Sequence, residues 1–268
     1  GEKTMKKLLA LILAAIMLLS VVACGNNKSE SGEEMTQKDV ATLHTFDSMR
    51  KLLVRIGMND STVSKLKETL EKRFRTYGNP IRKAEKGIVT RTVSPYDDLL
   101  KQYSKELGWD WRMLAAVIYQ ESKFSINSRS HRGAQGLMQV MPQTAKHYQV
   151  EDLLDPDQNL KAGTSHLKRL QRLYIKQDLE PMELIKFTLA AYNAGEGRIA
   201  DCRNFAAAMG QDNNSWDEIQ KLIPLMREDS ILAEPSVKLG KFQGHETIAY
   251  IDSILSLYDA ICTICPSV

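Results

Sequence analysis

The chain has 268 residues, 43% of them hydrophobic and 26% charged, with a formal net charge of +3 at pH 7. That is enough for one large domain, or a medium domain with an extension, built on a real core. It excludes a disordered tail and a membrane bundle, and it lacks the clustered basic excess that a nucleic-acid partner requires.

The chain opens on a processing signal. Lys6 and Lys7 precede an apolar run of 16 residues, Leu8 to Ala23, which is interrupted by one Ser. A bilayer-spanning helix needs ~20 residues, so the run predicts a secretory signal peptide over 1–23. It ends in Val21-Val22-Ala23-Cys24 and turns polar at Gly25-Asn26-Asn27. Small residues directly before a cysteine resemble a bacterial lipobox, which implies lipidation of Cys24 and a membrane anchor outside the cytoplasm. An ordinary signal peptide with an incidental cysteine is the alternative. Beyond residue 23 the chain has 33 basic and 32 acidic residues, a net +1.

Residues 24–40 are polar and rich in Ser, Gly and Glu, as a flexible tether would be. A short helical extension and linker is expected over 41–93. Phe46, Met49, Leu53 and Ile56 share one helical face, and Val63, Leu66, Leu70 and Phe74 another. Gly78 to Arg91 reads as an irregular basic linker.

From residue 94 the helix signals multiply. Ser94-Pro95 predicts a capped helix with proline in its first turn, closed by Gly108. Asp110 caps a helix from Trp111 to about Ser122 that is almost wholly apolar from Met113 to Tyr119. Gly133 and Gly136 mark a loop, and Pro142 starts a short helix. Asp155-Pro156 opens a long helix through Leu160, Leu167, Leu170 and Tyr174. Pro181 opens another that ends at Asn193-Ala194-Gly195, and a last helix is expected from about Glu246 to Ile261. With no alternating strands and no internal repeat, residues 94–268 form a mostly α domain.

Export leaves three further cysteines, Cys202, Cys262 and Cys265. Cys262-x-x-Cys265 lacks a second pair or a His pair to complete a zinc site. It ends a stripe of Ile251, Ile254, Leu255, Tyr258 and Ile261, so packing is expected, with one thiol a candidate partner for Cys202. His245-Glu246 begins like a zinc-protease motif, but Ala249 stands where the second histidine belongs. His44, His131, His147 and His166 form no ligand spacing. No metal or organic cofactor is expected.

The candidate for chemistry is Glu121, at the end of the apolar helix. Burial disfavours a charged carboxyl and raises its pKa, which suits it to donate a proton near neutral pH. A glutamate that merely ends a helix in solvent is the alternative. Glu121-Ser122, then Gly133-Ala134-Gln135-Gly136-Leu137-Met138-Gln139-Val140-Met141-Pro142, then Ala191-Tyr192-Asn193-Ala194-Gly195 occur in this order. Asp155-Pro156-Asp157-Gln158-Asn159-Leu160-Lys161-Ala162-Gly163 lies between the last two. Near the end stand Glu246-Thr247 and Tyr250-Ile251. Together these resemble the signature motifs of the soluble-lytic-transglycosylase (SLT) family, whose fold is similar to goose-type lysozyme, over about Pro95 to Tyr258. The resemblance is nearest to the catalytic domain of a membrane-bound branch that usually carries a solute-binding domain first. About 70 residues separate Cys24 from Pro95, too few for one.

The resemblance implies a peptidoglycan-cleaving lyase acting on the MurNAc–GlcNAc β-1,4 bond, with Glu121 as acid and then base. It implies substrate contacts at Ser122, Ser130, Met138, Gln139, Tyr192, Asn193 and Tyr250. Met138 as core, Ser122 as helix support and Tyr250 as ordinary packing remain open readings. Glycan strands are the implied partner, and the cell envelope the implied location, on the outer membrane if the host has two. A lysozyme-type hydrolase, or a non-catalytic wall-binding lipoprotein, are the competing functions.

Overall fold

The computed structural model describes residues 59, 61 and 79–266. Cys24, the signal peptide, the tether and the two stripes expected over 46–56 and 63–74 lie outside the described residues. The described residues fall into two compact units, one being Asp98–Thr263 and the other the residues on either side of it.

In the flanking unit, the stretch expected as an irregular linker contains a helix, α1 (Pro80–Glu85). Asn79 caps it by accepting from the Ile81 N–H at 2.9 Å, and Pro80 occupies the first turn. Asn-Pro was therefore a start signal. The next helix, α2 (Asp97–Leu107), begins later than Ser94-Pro95 suggested. The Asp97 carboxylate accepts from the Val93 and Ser94 N–H groups and from the Ser94 hydroxyl. The Ser94 oxygen in turn accepts from the Tyr96 N–H at 3.1 Å. These bonds close a side-chain turn that competes with a first helical turn.

The larger unit is helical, and the described residues hold no strand. Two isolated bridges, Arg129 with Gln135 and Gln135 with Val140, pin one loop. Its centre is α3 (Trp111–Ser122), capped by Asp110, which accepts from the Arg112 N–H. Met113 to Ile118 are buried consecutively, so this helix is enclosed on every side. After α4 (Pro142–His147) comes α5 (Pro156–Gln171), started by Asp155, which accepts from the Gln158 N–H. Helix α5 packs on α6 (Pro181–Ala194), and α6 on α7 (Glu196–Ala208). Phe187 to Ala191 of α6 are buried in sequence, as in α3. Trp109 donates to Gln171 at 2.8 Å, tying the end of α2 to the end of α5.

Two short helices, α8 (Trp216–Leu222) and α9 (Asp229–Leu232), precede α10 (His245–Ile264). Helix α10 runs three residues past the expected end. Its buried face is Tyr250, Ile251, Ile254, Leu257 and Ile261, with Leu255 and Tyr258 half-buried beside it. Cys202 and Cys262 are unbridged, so the pairing considered for Cys202 is not made. The thiol of Cys202 is buried and pushed up to about 12 by that burial, which makes it an inert packing group.

Candidate active site

Helix α3 carries Glu121 from the core to the edge of the domain. Lys123 closes the helix in the left-handed region (φ 51°), its N–H donating to the Tyr119 carbonyl at 2.9 Å. Phe124 follows at φ 60°. Two successive non-glycine residues in this conformation are strained, by about 1–3 kcal/mol each, and such strain concentrates at functional sites. The Phe124 ring meets Tyr119 edge-on at 5.7 Å, which holds the turn beneath Glu121.

Glu121 is half-buried, and Oε1 accepts a 2.6 Å hydrogen bond from the Tyr250 hydroxyl. Burial raises its carboxyl from the usual range to about 7, and the Tyr250 bond opposes part of that rise. Among the described residues no cation offsets the desolvation. Tyr250 itself is pushed well above the ordinary tyrosine range, first by burial and then by the Glu121 charge, so it stays a donor. Tyr192 is raised in the same way by burial and by Glu121. The glutamate therefore faces two tyrosines that hold their protons, one bonded to it directly.

Tyr192 donates to the Met138 carbonyl at 2.7 Å, which links the third motif to the second. The Met138 side chain is fully buried, with its sulfur against Gly163, where an added Cβ would lie 2.3 Å from Sδ. Expected as a groove wall, Met138 is thus a core residue that serves the site through its backbone. Gln139 lies next to it in the left-handed region (φ 47°), its amide donating to the Ser128 and Gly136 carbonyls. Ser130 is exposed, and its hydroxyl oxygen accepts from the Ala134 N–H at 3.0 Å, leaving its own proton available. Ser122 is buried and donates to the Ile118 carbonyl, which supports the helix end. Asn193 is exposed, and its side-chain oxygen accepts from the Thr247 hydroxyl at 2.9 Å. The structure joins Glu121 to Tyr250 and Tyr192 to Met138 by hydrogen bonds, and brings Tyr192 within the electrostatic reach of Glu121. Ser122 lies beside Glu121 in the chain, while Ser130 and Asn193 make their contacts elsewhere.

Two residues that hold this arrangement carried no expected role. Asn159, with no exposed surface, accepts from the Met138 N–H and donates to the Gln135 and Leu153 carbonyls, at 2.8–3.0 Å. It shares a helix stripe with Ala162, Gly163 and Leu167, and a polar residue in an apolar stripe must find buried partners. That was the signal for it. Thr247 is buried and orients Asn193, and only the tertiary contact reveals this. His245 and Glu246, the imperfect metal motif, are both exposed at the start of α10.

A mostly helical unit with one desolvated carboxyl between tyrosines defines a class. Residues 98–215 match the family model described as the transglycosylase SLT domain, so the larger unit carries an SLT domain. The chain is 36% identical over 182 residues to a membrane-bound lytic murein transglycosylase F of Desulfosudis oleivorans, covering 68% of this chain and 39% of that relative. It is 34% identical over 174 residues to the protein of the same name from Shewanella denitrificans, covering 65% of this chain and 34% of the relative. The chain thus spans well under half the length of these relatives. Among solved structures it is similar to the 70 kDa soluble lytic transglycosylase of Escherichia coli, at 23% identity and a TM-score of 0.47, covering 88% of this chain and 32% of that one.

Proposed function

We propose that the chain is a peptidoglycan lytic transglycosylase that cleaves the MurNAc–GlcNAc β-1,4 bond and leaves 1,6-anhydromuramoyl ends. The observation that carries this reading is Glu121, a carboxyl held at about 7 by burial, with a tyrosine hydroxyl as its hydrogen-bond partner. Near neutral pH a large share of it is protonated and can donate to the leaving glycosidic oxygen. The bond then breaks through an oxocarbenium-like state. The resulting carboxylate, which the Tyr250 hydroxyl stabilises, takes the proton from the muramic acid C6 hydroxyl as that oxygen attacks C1. The nucleophile is part of the substrate, so proximity replaces an activated water and a second carboxylate. The influences on Glu121 fit this economy, because among the described residues they are burial and Tyr250 and include no neighbouring acid.

Gln139, Tyr192 and Asn193 are proposed to contact the glycan, with Ser130 offering its free hydroxyl proton. Relatives named membrane-bound agree with an anchor at Cys24 in the cell envelope, on the outer membrane if the host has two. The test is mass spectrometry of sugars released from purified peptidoglycan by the full chain. Anhydromuramoyl ends support the reading. Products heavier by one water would make the enzyme a lysozyme, and a failure to cut would make it a wall-binding protein.

A further inference from the structure

Asp201, on α7, carries a carboxylate that the catalytic reading does not use. It is 4% exposed, and a buried charge is costly unless it is hydrogen-bonded. Its two oxygens accept from the Lys238 and Leu239 N–H groups, at 3.1 and 2.7 Å. Successive N–H groups face one acceptor only where the chain turns, so the carboxylate fixes the backbone there. An asparagine of the same shape would replace one of the two acceptor oxygens by a donor.

This contact is one of a series. Arg198 donates to the Gly240 carbonyl and lies over the Phe242 ring at 5.7 Å. Gly197 admits Leu239 closely, since an added Cβ would lie 2.9 Å from its Cδ1. At the far end the Thr247 hydroxyl donates to the Asn193 side-chain oxygen at 2.9 Å. Segment 238–247 therefore runs antiparallel to the third motif and the start of α7, from Asp201 back to Asn193. Its middle is tightly seated. The Phe242 N–H donates to the Met226 carbonyl, and a Cβ on Gly244 would lie 2.1 Å from the Ile223 side chain. A close-packed segment passes a displacement on instead of absorbing it.

We propose that Asp201 is a positioning residue for glycan binding: it fixes segment 238–247 along α7 and so sets Thr247, which orients the Asn193 amide. The proposal rests on the reading that Asn193 contacts the glycan. With its oxygen taken by Thr247, Asn193 has its amide N–H donors left for a ligand. Tyr250, one turn further along α10, is buried and bonded to Glu121, so the chemical step is held by separate contacts.

The experiment compares Asp201→Asn, Thr247→Val and the double variant in the full chain, with Glu183→Gln as the control. Glu183 also accepts from a backbone N–H, that of Trp216, but it lies in the first turn of α6, about 15 Å along the helix from Asn193. Asp201→Asn should shift the Asn193 side-chain amide signals in the NMR spectrum. It should also raise KM for peptide-free glycan strands about fivefold, with kcat held within about twofold. Thr247→Val should do the same, and the double variant should be no worse than either, since both act through one contact. Glu183→Gln should lower the melting temperature without either change. Unmoved amide signals in Asp201→Asn, an equal KM rise in Glu183→Gln, or additive effects in the double variant overturn the proposal. A wild type that does not cut defeats the catalytic reading alone, because the amide signals still decide the role of Asp201. A normal KM in Asn193→Ala defeats the glycan contact, and the proposal with it.

Discussion

Two glutamates, one at the end of α3 and one at the start of α7, meet opposite fates. Glu121 is desolvated with no offsetting cation among the described residues, so its carboxyl rises to about 7. Glu196 sits against the Arg169 guanidinium, which holds its carboxyl below the usual range against the opposing pull of burial. Both stand near aromatic residues and next to a motif. What differs is the neighbour that faces the charge. A paired carboxylate keeps its charge to lower pH than a free one, whereas an unpaired one in a dry setting is a proton carrier.

The largest expected effect that sharpens this comparison is Glu121→Gln. Cleavage should fall by about 10²–10⁴-fold while glycan binding persists, as measured by pull-down on purified peptidoglycan and by product release. Normal cutting by this variant would remove Glu121 from the mechanism. The same variant tests the electrostatics. Because burial raises the Glu121 pKa in the folded state, ionisation costs stability, starting near the unfolded value of 4.5 and complete above about 7. Glu121→Gln should therefore be more stable than the wild type by up to roughly 3 kcal/mol at pH 8, and the advantage should vanish below about pH 4. Thermal melts across that range would show a flat difference if the carboxyl were solvated.

Next comes the scaffold behind the site. Gly136 has φ 79°, and an added Cβ would lie 2.0 Å from the Asn159 amide nitrogen. Gly136→Ala should cost about 3 kcal/mol of stability by chemical denaturation, since it combines strain with displacement of a fully buried hydrogen-bonding side chain. A loss below ~1 kcal/mol would mean that the loop has room to yield.

Tyr250→Phe is expected to act more gently and more specifically. Losing its hydroxyl removes the bond that lowers the Glu121 pKa, so the pKa should rise further. The alkaline limb of the rate profile, which requires protonated glutamate, should move to higher pH by about one unit. Loss of the bond that stabilises the carboxylate formed in turnover should leave roughly tenfold less activity at neutral pH. An unmoved profile would assign Tyr250 to packing. The smallest effect belongs to Glu196→Gln. Glu196 and Arg169 keep 45% and 38% of their side-chain surface exposed, so the pair should contribute under about 1 kcal/mol. The pH profile of cleavage should not change. A profile shift as large as that of Tyr250→Phe would mean that the two glutamates communicate.

The amino-acid sequence by itself determined where the main helices run, because their signals are local. Asp110 and Asp155 cap from fixed offsets, Pro142, Pro156 and Pro181 sit in first turns, and the apolar run of α3 declares its own burial. It also marked Glu121 as the candidate, through the ordered motifs around it and not through the apolar helix it ends, where a glutamate in solvent was the stronger reading. Local rules gave way where side chains rewired the backbone, as when Asp97 captured Ser94 and delayed α2. Only the tertiary structure decided what each site residue does. Tyr250 reaches Glu121 across 129 positions of sequence, Tyr192 bonds the Met138 carbonyl across 54, and Met138 is buried where an exposed wall was expected. No local periodicity encodes these partners, because a buried polar group is satisfied by whichever distant donor or acceptor the packing brings within 3 Å. The pKa of Glu121 belongs to the same category, for desolvation is a property of everything that surrounds the carboxyl at once.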